Sequence, residues 1–300
     1  MADGESRRGD GAAIDPSTTL GPVRLRVVDL DGLAAFYQRA IGLREVARTA
    51  AEVHLGAADG RPLVELVGDA GASARPARTT GLFHLALLVP ARADLAQAVH
   101  RVVGAGWSFT GASDHLVSEA LYLDDPEGNG IEIYHDRPRA QWRTRGGELE
   151  MATLPIDLDG VLASLAAGTP DEGLPPGTVM GHVHLQVSEI AASAVFYDDV
   201  IGFDPTITAY PGALFVSAGG YHHHLGLNVW GSRGAPPPPG RSRGLESLRV
   251  ELPEAAQVDA IGARLEAAGI AVTAGPGGLH ALDPAGNRLV FAQQRGPDPD

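Results

Sequence analysis

The stretch Gly181-His182-Val183-His184-Leu185-Gln186-Val187, followed by Glu189-Ile190, Phe196-Tyr197 and Ile201-Gly202-Phe203, decides how this chain is read. Moved back by 160 residues without a gap, the same grammar reappears as Gly21-Pro22-Val23-Arg24-Leu25-Arg26-Val27, Asp29-Leu30, Phe36-Tyr37 and Ile41-Gly42-Leu43. A second type of unit follows each copy. Gly81-Leu82-Phe83-His84-Leu85 leads to Asp125-Pro126-Glu127-Gly128-Asn129-Gly130-Ile131-Glu132. Gly244-Leu245-Glu246-Ser247-Leu248 leads to Asp283-Pro284-Ala285-Gly286-Asn287-Arg288-Leu289-Val290. Self-similarity at this scale gives four units of roughly fifty to sixty residues, arranged as two pairs.

Each unit opens on an alternating run. Val183, Leu185 and Val187 share one face of it, and His182, His184 and Gln186 the other, which is the period of a strand. A helical stretch follows, as in 192–200, and Gly202 supplies a stop. Strands separated by Gly-rich turns complete the unit. Asp-Pro-x-Gly-Asn is a turn with a mechanism, because Pro fixes φ while Gly and Asn tolerate positive φ. The pattern predicts β-α-β-β-β, four times over, in an α+β fold.

The pairs set the expected domains at 20–140 and 178–296, with a linker over 141–177 and tails at 1–19 and 297–300. The linker has a charged stretch at 142–150, a short helix near 161–167 and a Pro/Gly-rich run at 168–177. A polyproline break at 235–240 is stiff and extended, and should cross the surface between units three and four. The formal net charge of -14 argues against nucleic acid or an anionic membrane as partner. The absence of cysteine excludes disulfides and thiolate metal sites. No run approaches a membrane span and no signal peptide is visible, so a soluble cytoplasmic protein is expected.

Four such units, with their Phe-Tyr helices and Asp-Pro-x-Gly-Asn turns, resemble the vicinal oxygen chelate superfamily over nearly all of 20–140 and 178–295. That group includes glyoxalase I, fosfomycin-resistance proteins and extradiol ring-cleaving dioxygenases. The resemblance implies two domains of paired modules, each a cup-shaped mixed sheet, with a divalent metal inside a cup. It also implies the ligand rule: a His from the first strand of one module, a His from the first strand of its partner, and a Glu from the partner's last strand.

The first-strand positions are Arg24, His84, His184 and Ser247, and the last-strand candidates are Glu132 and Val290. Units three and four offer one ligand of three, and units one and two put Arg24 where a ligand should stand. The crossed combination of unit three with unit two is complete, with His184, His84 and Glu132, either within one chain or across a homodimer. Glu132 lies between Ile131 and Ile133, where a carboxylate needs a partner. His182 is a weaker alternative to His184, because its counterpart in unit one is Pro22. Glu65 sits where glyoxalases place a fourth ligand, but unit one lacks the matching His, and His54, His100, His135 and His280 stand outside any constellation.

The closest resemblance is to single-chain, four-module catechol 2,3-dioxygenases. Gly220-Tyr221-His222-His223-His224-Leu225 is similar to the segment that supplies their acid/base histidine, and Tyr122 precedes Glu132 by the ten residues that separate a Tyr from the ligand Glu in those enzymes. Direct matching of the segment points to His223, whereas strand parity, with Leu225, Leu227 and Val229 turned to the helices, points to His224. The resemblance therefore implies Fe(II), with Mn, Zn or Ni as alternatives, and an aromatic catechol and O2 as substrates. His224 or His223 would move protons, and Tyr122 and His115 would hydrogen-bond the substrate oxygens. The rival expectations are another metalloenzyme on this scaffold, such as a glyoxalase-like lyase, isomerase or transferase, and a metal-free binding protein in which Arg24 grasps an anionic ligand.

Overall fold

The computed structural model describes residues 13–294. The expected tail segments 1–12 and 297–300 lie outside the described residues. Residues 13–19 belong to the body of the molecule: the Ile14 side chain is buried in the core, and its N–H donates to Gly202 O at 2.9 Å.

All four units have the expected order. Unit one comprises β1 (Thr19–Val27), α1 (Leu30–Phe36), β2 (Arg44–Arg48), β3 (Glu52–Gly56) and β4 (Pro62–Gly68). Unit two comprises β5 (Gly81–Leu88), α2 (Arg92–Gly104), β6 (Gly111–Asp114), β7 (Ser118–Asp124) and β8 (Gly130–Asp136). The connector holds a two-stranded ribbon, β9 (Thr144–Arg145) and β10 (Glu148–Leu149), and α3 (Leu158–Ala163). Unit three comprises β11 (Val179–Gln186), α4 (Ile190–Ala194), β12 (Asp204–Ile207), β13 (Ala213–Ser217) and β14 (Leu225–Asn228). Unit four comprises β15 (Gly244–Leu252), α5 (Ala255–Ala267), β16 (Val272–Gly275), β17 (Gly278–Leu282) and β18 (Arg288–Gln293).

The strand period sorts each sheet into two faces. Val23, Leu25 and Val27 of β1 and Val183 and Leu185 of β11 are fully buried in the apolar core. Burial of a side chain such as Leu185 is worth roughly 1.5–3 kcal/mol. The helices of units one and three widen into a π-helical turn over Tyr37–Ile41 and Val195–Ile201. Each then stops at a left-handed glycine, Gly42 (φ 88°) and Gly202 (φ 98°), a conformation that costs glycine least.

The sheets do not follow the halves of the chain. One eight-stranded sheet has the order β16-β17-β18-β15-β1-β4-β3-β2, and the other β12-β13-β14-β11-β5-β8-β7-β6. Unit one therefore shares a sheet with unit four, and unit two with unit three. Each cup therefore takes one unit from the segment 20–140 and one from the segment 178–296. The halves are held by their helices instead: α2 packs against the π-turn of unit one, and α5 against that of unit three. Two buried hydrogen bonds reinforce this link. Tyr37 Oη donates to Asp125 Oδ2 at 3.1 Å, and Tyr197 Oη donates to Asp283 Oδ2 at 2.9 Å. The repeated Phe-Tyr and Asp-Pro turn thus meet, and the turn aspartate joins two units as well as ordering its own loop through Asn129 and Asn287. No helix among the described residues is long and apolar enough to cross a membrane.

Candidate metal centre

The site lies on the concave face of the sheet shared by units two and three. β5 and β11 run antiparallel at its middle, with His184 opposite His84 and His182 opposite Ala86. β8 runs parallel to β5 and sets Glu132 beside Ala86, and β7 sets Tyr122 beside Glu132. One row across the sheet therefore reads His182, Ala86, Glu132, Tyr122. The small Ala86 side chain leaves the space over which the imidazole and the carboxylate meet.

Glu132 Oε2 lies 3.0 Å from His84 Nε2 and 3.1 Å from His182 Nε2. One ligand atom from each of the three residues lies within 4.8 Å of the others, and all three residues are buried. Burial works against the charge of the Glu132 carboxylate, but the imidazoles of His182 and His84 outweigh it and hold the group well below the usual carboxylate range. Burial also pushes the His182 imidazole down to about 4. The centre is thus one buried anion beside the neutral His182 imidazole, with His84 Nε2 also turned to the carboxylate. Two nitrogens and a carboxylate oxygen on one face suit a divalent transition metal with positions left open, and the residues present fit such an ion.

Sequence reasoning expected His184, and the structure brings His182 into the group instead. Both histidines face the cup, as the strand period requires. His184 stacks edge-on to His84 at 5.0 Å between ring centres and packs against Phe83, Phe215 and Trp230. Its Nε2 is buried without a partner. The close fit continues at Gly226, where an added Cβ would come within 2.9 Å of the His184 ring.

A cavity of about 340 Å³ opens over the centre. His84, Glu132 and His182 line it together with His184, His223, His115 and Tyr122. Its remaining wall is mostly aromatic, from Phe83, Phe215, Trp230 and Tyr210, and Met151 and Thr153 of the connector close one side. No arginine or lysine is among the described residues that line it. His115 Nδ1 lies 2.7 Å from Ala152 O and its Nε2 2.6 Å from Tyr122 Oη. Burial pushes the Tyr122 phenol well above its ordinary value, so it stays protonated.

The His222-His223-His224 triplet is divided among three environments. His223 faces the cavity, 4.2 Å from His182 between ring centres. His222 is buried behind it against Asp136. His224 points away, accepting from Ala218 N–H at 3.1 Å on Nδ1 and lining a separate crevice with Tyr221. The parity argument that favoured His224 presumed a strand through the triplet, but β14 begins only at Leu225.

Arg24 lies in the other cup. Its guanidinium pairs with Glu52, with Glu65 at 3.2 Å and with Glu246 at 3.9 Å. Glu65 sits beside Arg24 in the register that Glu132 has beside Ala86, so the second cup keeps a carboxylate and neutralises it with an internal cation. This overturns the expectation that Arg24 is free to grasp a ligand. The connector residues and the wall aromatics Tyr210, Phe215 and Trp230 carried no sequence motif; Met151 and Thr153 stood in what read as a plain linker.

The fold and site define a class: paired βαβββ units curled around two imidazoles and a carboxylate. The chain belongs to the Glyoxalase/Bleomycin resistance protein/Dioxygenase superfamily, whose model matches residues 19–133 and 179–291. It is 40% identical over 282 residues to the catechol-2,3-dioxygenase of Bacillus subtilis (strain 168), covering 93% of this chain and 98% of that one. A crystal structure of a Bacillus subtilis protein with a provisional dioxygenase assignment superposes with a TM-score of 0.67 at 15% identity, covering 95% of this chain and 87% of that one. Glyoxalase I from Zea mays superposes with a TM-score of 0.57 at 15% identity, covering 92% of each chain.

Proposed function

We propose that the protein is an extradiol-type dioxygenase that opens a catecholic ring with O2, its metal held by His84, Glu132 and His182. The observation that carries this reading is the buried two-histidine, one-carboxylate cluster at the base of an aromatic-walled cavity. The 40% identical catechol-2,3-dioxygenase supports it. Iron(II) held there would supply Lewis acidity to the substrate's paired oxygens and a path by which the catechol's own electrons reach O2.

The protein's own groups do the rest. Aromatic faces from Phe83, Phe215 and Trp230 clasp a flat ring. A wall without arginine or lysine favours an uncharged catechol over one bearing a carboxylate. His223, buried at the cavity edge, takes a proton from a substrate hydroxyl and returns it later, work suited to imidazole. The Tyr122 and His115 pair, joined by its 2.6 Å hydrogen bond, holds a substrate oxygen. His84 and Glu132 come from unit two and His182 from unit three of one chain, so the cluster needs no second copy. Action in the cytoplasm is part of this reading.

The test is anaerobic loading with Fe(II), then a panel of neutral and carboxylated catechols with O2. O2 uptake and a yellow ring-fission product with neutral catechols are expected, and loading with Mn(II), Zn(II) or Ni(II) in parallel identifies the metal. No O2 uptake with any catechol and any of these metals overturns the reading.

A further inference from the structure

The triplet connects the cavity to the half-buried Asp136 carboxylate through defined atoms. His223 Nδ1 lies 2.8 Å from His222 Nδ1. His222 Nε2 lies 2.9 Å from Asp136 Oδ1. Asp136 Oδ2 accepts from Tyr221 Oη at 2.8 Å, and Tyr221 Oη lies 2.7 Å from Tyr134 Oη. Because the Tyr221 proton is committed to Asp136, Tyr134 donates to Tyr221. His222 is held in place on its other side as well, since its own carbonyl accepts from Thr206 Oγ1 at 2.7 Å.

We infer that Asp136 and His222 are positioning residues that fix the tautomer of His223, leaving its Nε2 as a bare proton acceptor toward the cavity. An ionised carboxylate only accepts, so the hydrogen between Asp136 and His222 sits on His222 Nε2. A neutral imidazole carries one N–H, so His222 Nδ1 is an acceptor. The hydrogen in the contact between the two Nδ1 atoms therefore belongs to His223. That ring's single N–H is then used, and its Nε2 offers a lone pair. Without Asp136 nothing chooses between the two tautomer pairs, and half the molecules or more could present an N–H to the substrate hydroxyl. The role of that lone pair as base rests on the proposed function; the tautomer assignment does not.

The experiment is ring nitrogen NMR on the Zn(II)-loaded protein labelled with 15N-histidine, paired with steady-state kinetics of the Fe(II) form. Wild type should show His223 protonated on Nδ1 and His222 on Nε2. Asp136→Leu should move the His223 signals toward the average of the two tautomers. Its kcat should fall by the inactive fraction, roughly two- to tenfold, with KM and metal content unchanged. A wild-type His223 protonated on Nε2 overturns the inference, as does an unchanged kcat or an unchanged tautomer in Asp136→Leu. Correct tautomers in a protein that turns over no catechol would sink the dioxygenase reading and leave the assignment standing.

Discussion

His182 stands directly opposite Ala86 across the antiparallel pair β11 and β5, and two residues along the same pair His184 stands opposite His84. The local twofold relation between the strands exchanges these pairs. His182 is therefore the mate of His84, and His184 the mate of Ala86. The third member of the cluster, Glu132, lies beside Ala86, which places it on the row of His182.

That relation separates two substitutions. His182→Ala should reduce bound metal to less than about a tenth of wild type, since even outer partners of ligands are worth 10–100-fold in affinity. His184→Ala should leave one metal per chain and instead raise KM for the catechol. Metal analysis of both purified variants decides it; full metal in His182→Ala would exclude that histidine as a ligand.

The space over Ala86 is as important as the donors. Ala86→Leu puts a branched side chain between His182 and Glu132, where the cup has no room for it. It should cost about 1–3 kcal/mol by overpacking and lower metal content. Ala86→Gly should bind metal normally and lose only about 0.5–1 kcal/mol. Thermal melts with and without added metal distinguish the two.

Tyr122→Phe removes the hydroxyl that lies 2.6 Å from His115 Nε2. One lost hydrogen bond of about 1.4 kcal/mol corresponds to a tenfold drop in kcat/KM, with metal content untouched. His115→Ala should resemble it, and the double variant should be little worse than either single one. Additive losses would show that the two side chains act separately.

Arg24→Met removes the cation that pairs with Glu52 and Glu65 in the second cup. Glu52 and Glu65 would then face each other without it, and stability at pH 7 should fall by about 1–2 kcal/mol, discounted for partial exposure. The Arg24 hydrogen bond holds Glu52 below its ordinary value of 4.5. Its contribution is therefore complete above that value and disappears as pH falls through the lower folded one. The difference between variant and wild type in urea melts should shrink from pH 7 toward about pH 3. Catechol turnover and a metal stoichiometry of one should persist in the variant.

Much of this was legible in the chain. The repeat predicts four βαβββ units, and the missing ligands of units one and four leave unit two with unit three as the combination that can supply a complete set. The structure places His84 and Glu132 together. In the sequence His184 is preferred to His182 because the repeat aligns His182 with Pro22 of unit one. Counted from the strand exits, His84 stands five residues before Val89 and His182 five before Val187. Two register shifts between β5 and β11, one on each side of the three pairs from His182 to His184, separate this count from one made at the opening glycines, Gly81 and Gly181, and such irregularities leave no clear mark in sequence. The triplet misled parity because it precedes β14. The connector wall was illegible because Met151 and Thr153 gain their role only from long-range packing beside His115.

The crossed sheets also order the protein's assembly in time. All the strands of the metal-bearing cup lie between Gly81 and Asn228. A nascent chain can complete that cup before α5 and the last strands have been made. β1, synthesised first, must wait for β15 as its sheet neighbour, and closing so long a loop is slow. During that interval an exposed strand edge in unit one invites association with other chains. Expression truncated soon after Asn228 would therefore yield every proposed ligand in a chain prone to aggregate.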